Sequence, residues 1–289
     1  MLPHDKTTML LTGMPRSGTT LVCALLNAFA DTLALAEPIN QHWNGDRRSA
    51  VEGIGDFIAA VRHQALTTGM AITKHLDGVI PDNWVEPPTD EDRLRKSLEV
   101  RAPMAVGKPL SEDFRLIIKH PALFTALAGS LMPLYPMVAL VRHPLAVLAS
   151  WQTIDGPFHR GRMPIAERFS PDLVAALDAA PERVRRQVTL MGWLLRTYAA
   201  FPAGQVVRYE DLIADPLPIL ARFSATATRP TRHLAPYDPA ERYPRVDLPL
   251  LARELMAIEA EAEKFYPDFK GSLDPWLGRR VDARPAALV

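Results

Sequence analysis

The 289-residue chain has a single cysteine, Cys23, so an internal disulfide is excluded and a reducing compartment is expected. Cys23 falls within an apolar helical pattern, which reads as a small buried hydrophobe and not as a nucleophile. No excess charge of either sign exists, because Lys plus Arg and Asp plus Glu each number 33. Bulk attraction to nucleic acid or to an anionic membrane has no basis, and any anion site must be built locally. No apolar run approaches the roughly 20 residues of a membrane span. Near the N-terminus Pro15 and Arg16 interrupt the apolar stretch, so it does not read as a signal peptide. A cytoplasmic protein without integral membrane association is expected. The eight histidines show no HExxH-like or clustered spacing, so no metal is predicted. Internal repeats and low-complexity tracts are also lacking. The length only slightly exceeds the roughly 250 residues at which single cores tend to split. One α/β domain over 1–289 is therefore expected, with lid or acceptor loops at 78–112 and 152–181 and an irregular part at 225–289.

What is present centres on residues 9–27, MLLTGMPRSGTTLVCALLN. Met9–Leu11 read as a strand and Leu21 onward as an apolar helix, separated by Gly13, Pro15, Arg16, Ser17, Gly18, Thr19 and Thr20. This is the strand–loop–helix order of a phosphate-binding loop, in which backbone N–H groups at a helix start face an anion. The nucleotide-hydrolase form is G-x-x-x-x-G-K-[ST]. Here the Gly13–Gly18 spacing is kept, but Thr19 stands in place of the lysine, and the cation comes earlier, at Arg16. The alternative is a glycine-rich turn with no ligand.

Further strands are predicted at 33–36, 70–74, 116–118, 137–141 and 205–208, and helices at 52–66, 121–132, 145–151, 182–201, from 216, and at 250–265. The run Met137–Val141 is apolar throughout, which indicates burial on both faces and hence a parallel sheet. Strands alternating with helices predict a three-layer α/β/α, P-loop-like domain around a central parallel sheet. The proline-punctuated, charged stretch 81–108 is expected to hold one amphipathic helix over the sheet edge. Segment 152–181 is expected to be a mobile loop or lid. Arg16, Glu37, Lys119, His120 and Arg142 all follow predicted strands, at the sheet edge where open α/β folds bind ligands. Ser150, eight residues after Arg142, lies two turns into the next helix. An arginine fork and a serine hydroxyl suit one phosphate, although an arginine before a proline is also a common solvated turn. Together with the first loop, they point to a nucleotide with phosphates at two separate places.

At these residues the chain resembles the sulfotransferases that use 3′-phosphoadenosine 5′-phosphosulfate. MPRSGTTL resembles their 5′-phosphosulfate loop and ALVRHPLAVLASW their 3′-phosphate motif, with the arginine-to-serine spacing of eight intact. RLIIKHP and VVRYEDLIADP resemble the flanking segments, so the likeness runs from residue 9 to about 220. Arginine replaces the lysine of many cytosolic members at position 16. Their C-terminal R-K-G loop has only a faint echo in Lys270-Gly271 and Trp276.

The resemblance implies a small-molecule, lipid or natural-product acceptor with a hydroxyl or amine, and donor binding by Pro15, Arg16, Ser17, Gly18, Thr19, Thr20, Arg142, Ser150 and Tyr209. Arg16 would stabilise the leaving phosphate oxygen without donating a proton, with Lys119 as a second cation. Glu37 is the first candidate for the base, His120 the second and His75 a weaker third; the first two also have structural readings, as an exposed turn carboxylate before proline and a histidine packed at a strand end. Two rivals remain. A P-loop kinase is disfavoured by the absent lysine and by the lack of an obvious magnesium-holding aspartate. A catalytically silent nucleotide-binding relative is disfavoured by retention of Arg16, Thr19, Arg142 and Ser150 together.

Overall fold

A computed structural model describes residues 7–40, 43, 45–87, 93–231, 233–235 and 238–277. Five parallel strands form the central sheet: β1 (Thr8–Gly13), β2 (Thr32–Ala36), β5 (Arg115–Lys119), β6 (Met137–Val141) and β7 (Val206–Arg208). Their spatial order is β2-β5-β1-β6-β7. Register places Leu11 beside Lys119, Ala36 beside Lys119, Gly13 beside Leu140 and Val141 beside Arg208. The carboxyl ends therefore stand level, and every loop that leaves them opens onto one edge.

Period-two alternation makes the three layers. Leu33, Leu35, Leu116, Ile118, Met137 and Ala139 point to one core, while Ala34, Ile117, Val138 and Leu140 point to the other. Against the first core pack the helices α2 (Arg47–Thr68), α3 (Pro121–Ala126), α4 (Ala128–Leu131) and α5 (Pro144–Trp151). Helices α6 (Pro164–Glu167), α7 (Pro171–Asp178) and α8 (Arg183–Ala199) join them there. The other core takes α1 (Thr19–Leu26) and α9 (Tyr209–Ala214). The α/β/α class and the parallel sheet are as expected. Cys23 is buried in α1, and burial pushes its thiol up to about 12, which keeps it protonated and inert.

Several expectations change. Strand β3 (Met70–His75) does not join the parallel sheet but pairs antiparallel with β4 (Val100–Ala105). Among the described residues, 81–108 contains no helix. Bridges from Val85 to Ser97 and from Arg95 to Ile154 hold the charged stretch extended, so long-range pairing overrides its local helical pattern. Segment 152–181 is not a plain loop: Ile154, Met163, Phe169, Leu173 and Leu177 are buried, and α6 and α7 lie within it. The predicted helix at 121–132 splits into α3 and α4, and that at 250–265 into Leu248–Leu255, Met256–Ile258 and Glu259–Ala262. A helix, Phe269–Leu277, occupies what reads as a loop-like tail, because Phe269 and Leu273 are buried.

Gly13 ends β1 at φ 154°, and a Cβ there would collide with the Leu140 carbonyl oxygen on the adjacent strand. Gly13→Ala is expected to lower the melting temperature by several degrees, measured by calorimetry, since backbone cannot yield as a side-chain tip does. An unchanged melting point would mean that β1 and β6 are further apart at this level.

Candidate active site

Between β1 and α1 the loop turns sharply. Arg16 takes a left-handed conformation, φ 75°, and Gly18 follows at φ 95°. Such strain in a non-glycine residue clusters at functional positions. Ser17 N–H donates to Met14 O at 3.0 Å, and the buried Trp151 indole N–H donates to Pro15 O at 3.0 Å. These bonds fix the loop from both sides. Gly18 caps α1 without a side-chain bond, so the N–H groups of the first turn have no intrahelical acceptor. The Ser17 hydroxyl is buried and has no hydrogen-bond partner among the described residues. A buried hydroxyl left open beside a helix start suits an oxyanion.

The second element meets the first. Arg142 directly follows β6, and its Nη1 donates to Arg16 O at 3.4 Å. Its guanidinium stacks on Tyr209 at 4.0 Å from the ring centroid. Tyr209 opens α9 and lies against Gly18, where an added Cβ would come within 2.6 Å of the ring. Gly18→Ala is expected to weaken nucleotide affinity about tenfold in an equilibrium titration, by pushing Tyr209 off the loop. Ser150, buried in α5, accepts a hydrogen bond from Arg16 Nε at 3.2 Å. Arg16 Nη1 donates to Asn83 Oδ1 at 2.9 Å.

The remaining charges form a chain across the cavity. Glu37, left-handed at φ 48°, binds Lys119 Nζ at 2.5 Å through Oε1 and Lys74 Nζ at 2.8 Å through Oε2. Lys74 also pairs with Glu99 at 3.1 Å, and Lys119 lies 3.4 Å from Thr20 Oγ1. Trp84 lies under both ammonium groups, 4.4 Å from Lys119 and 5.7 Å from Lys74. Burial alone would raise the Glu37 carboxyl, but Lys119 and Lys74 overcome it and hold the group well below the usual carboxylate range. His120 is buried, and desolvation lowers its imidazole to about 4, with the Glu37 charge offsetting only part of the shift. Its Nε2–H donates to Ile39 O at 3.2 Å, because a carbonyl can only accept. The lone pair is then on Nδ1, which has no hydrogen-bond partner among the described residues. The ring is neutral at pH 7.

That depression has a stability consequence. Between about pH 6.5 and 4 the unfolded chain protonates His120 while the native state does not, so stability falls as pH falls through this window. Glu37 acts in the same direction at lower pH. His120→Gln, which can still donate to Ile39 O, is expected to flatten the drop in melting temperature between those values. An unaltered slope would assign the acid sensitivity elsewhere.

Arg16, Arg142, Tyr209, Glu37, Lys74, Lys119 and His120 line one cavity of about 620 Å³ at the carboxyl edge, a size within the range of small-molecule sites. The profile of the sulfotransferase family matches residues 9–227. The chain belongs to this family.

Among solved structures, this sulfotransferase is similar to STF1 from Mycobacterium tuberculosis H37Rv, at 15% identity over 87% of this chain and 77% of the other, with a TM-score of 0.36. It is also similar to the sulfotransferase domain from the curacin biosynthetic pathway, at 16% identity over 96% and 99%, with a TM-score of 0.35. No curated protein matched it.

Within the sulfotransferase the structure brings Pro15, Arg16, Gly18, Thr19, Thr20, Glu37, Lys119, His120, Arg142 and Tyr209 to the cavity wall. Ser17 and Ser150 lie just behind it. His75 does not line the cavity: its Nδ1 accepts from Gly78 N–H at 3.1 Å, which closes the turn after β3. Strand alternation puts Lys74 on the opposite face, toward Glu37, so in the TKH segment the lysine and not the histidine reaches the site. Lys270 is exposed and absent from the cavity wall, and Gly271 lies beside it on the same helix. His233–Ala235, Arg242 and Tyr243 line it instead. Sequence reading missed Lys74, Asn83, Trp84 and Glu99. The only local signal was the alternating pattern of 70–75, which has no meaning for the site until β3 is seen to dock beside β2. That docking rests on Thr73, whose hydroxyl accepts from Ala36 N–H at 2.8 Å.

Proposed function

We propose that this sulfotransferase moves a sulfuryl group from 3′-phosphoadenosine 5′-phosphosulfate to a hydroxyl or amine of a small-molecule, lipid or natural-product acceptor. The observation that carries the reading is the meeting of two anion-binding elements far apart in sequence: Arg16 Nε reaches Ser150 Oγ at 3.2 Å, and Arg142 reaches the Arg16 carbonyl. The open Ser17 hydroxyl and the uncapped start of α1 fit the donor's 5′ end. The Arg142 guanidinium with Ser150 fits its 3′-phosphate, and the Tyr209 ring gives adenine a flat neighbour.

When bound, the donor supplies a sulfur centre whose bond to phosphate oxygen breaks as the acceptor oxygen bonds to it. The products are a sulfate ester, or a sulfamate from an amine, and adenosine 3′,5′-bisphosphate. Arg16, Lys119 and the α1 N–H groups face the oxygen on which charge develops. Glu37 takes the acceptor's proton. Its weak basicity is no obstacle, because a hydroxyl becomes strongly acidic as it bonds to sulfur. His120 lies beside Glu37 as the second base, with its Nδ1 lone pair. No metal is assigned a role, since arginine and lysine supply the positive charge. We place the chain in the cytoplasm, as one domain; no described helix is long and apolar enough to cross a membrane.

The test combines two measurements. Adenosine 3′,5′-bisphosphate should raise the melting temperature, whereas ATP-Mg²⁺ should not. Incubation with labelled donor and a metabolite extract should yield an acceptor with one added sulfate by mass spectrometry. Stabilisation by ATP-Mg²⁺ alone would favour a phosphotransferase, and nucleotide binding without any transfer would favour a silent relative.

A further inference from the structure

A second cavity, of about 650 Å³, opens beside the first and shares Arg95, Arg242 and Tyr243 with it. Its wall carries five arginines, adding Arg93, Arg183 and Arg245 to the two shared ones. Only two carboxylates, Glu241 and Asp247, stand among them, and Asp247 is occupied in accepting from Leu250 N–H at the start of a helix. Arg93 is already paired with Glu86 at 2.7 Å, so the cations that matter here are Arg95 and Arg183.

Arg95 stands at the junction. It is 4% exposed, yet among the described residues its guanidinium has only neutral acceptors: Glu86 O at 3.2 Å and Thr153 Oγ1 at 2.7 Å. Tyr243 lies 5.9 Å away, ring centroid to guanidinium. These two bonds use two of five N–H donors. A buried cation without a counter-charge is costly unless a ligand supplies one. Its backbone is clamped on both sides, donating to Thr153 O and accepting from Asp155 N–H, each at 2.9 Å, so the fork is held in place. Arg183, exposed on the same wall, donates to Gln152 Oε1 at 2.7 Å and to no carboxylate. Two arginines thus face a shared space with no acidic partner among the described residues.

We infer that the acceptor is itself an anion, and that its carboxylate or phosphate group sits on Arg95 and Arg183 in this second cavity while its hydroxyl or amine extends into the first. The inference rests on the sulfuryl-transfer reading for the word acceptor, but the anion site stands on its own geometry. Guanidinium forks match carboxylate and phosphate oxygens bidentately, which makes the site selective for planar or tetrahedral oxyanions over neutral groups.

The experiment titrates pyrophosphate, and separately citrate, into the protein saturated with adenosine 3′,5′-bisphosphate, by calorimetry. At least one probe should still bind, with affinity about tenfold weaker in Arg95→Gln and weaker also in Arg183→Gln; the tighter probe names the group. Arg95 ties two segments together, so Arg95→Gln can lower the melting temperature, but a structural role alone would leave Arg183→Gln without effect on anion affinity. No binding of either probe to the saturated protein, or equal binding in both variants, overturns the proposal. So does a loss of nucleotide affinity in Arg95→Gln matching its loss of probe affinity, which would place Arg95 in the donor site. If adenosine 3′,5′-bisphosphate itself does not bind, the sulfuryl-transfer reading fails, and the two variants titrated without it still decide the anion site.

Discussion

Arg16→Ala is expected to lower turnover by about 10²–10³-fold while weakening nucleotide affinity only several-fold. The asymmetry follows from what surrounds this arginine. In the proposed site, ground-state binding of the donor is shared among the α1 N–H groups, Ser17, Arg142 and Ser150, and all of these remain in the variant. In the proposed reaction the bridging oxygen gains full negative charge only as its bond to sulfur breaks, and a guanidinium carried on this loop, held by its left-handed backbone, is near enough to meet it there. Arg16 donates to Ser150 and Asn83, so its alanine variant also releases those two acceptors. Arg16→Lys should recover part of the rate, because the charge returns but the fork does not. Single-turnover rates with saturating donor, beside a nucleotide titration, give both numbers. Equal losses in rate and affinity would show that Arg16 binds the donor uniformly and does not favour the transition state.

Glu37→Gln is the second large effect, with a loss of about 10²–10⁴-fold in kcat. The substitution keeps shape and removes the charge that holds Lys119 and Lys74. Lys119 would lose its acidic partner while Lys74 keeps Glu99, so in the proposed mechanism the base is lost and the cation at Lys119 released together. His120→Gln should cost much less, since it leaves the Glu37–lysine chain intact. If Glu37→Gln turns over normally and His120→Gln does not, the assignment reverses and the Nδ1 lone pair is the base. A Lys74→Met variant separates the two consequences. It removes one cation from Glu37 and leaves Lys119, so a small loss in kcat with a shifted pH profile would mark Lys74 as a positioning residue.

How much was legible differs by element. The continuous apolar runs at 33–36, 116–118 and 137–141 announce buried parallel strands, because a strand covered on both faces has no polar side to show. The phosphate loop is equally local: glycine spacing, a strand before it and a helix after it lie within 19 residues. The stretch 81–108 misleads for the opposite reason. Its charges recur at helical spacing, yet its conformation is set by bridges to partners such as Ile154 that no window of sequence contains.

By itself the sequence determined the layer order, the glycine-spaced loop between a strand and a helix, and an arginine and a serine eight positions apart at a second strand end. Each of these depends on neighbours in the chain, through backbone propensity and the burial pattern of single strands. Only the tertiary structure decided that Arg16 meets Ser150, that Lys74 and not His75 turns toward Glu37, and that Arg95 lies buried between two cavities. Those are contacts between segments tens of residues apart, fixed by strand order and by the docking of β3 beside β2. Side-chain chemistry there depends on burial and on opposing charge, and neither is written in any one stretch of the chain.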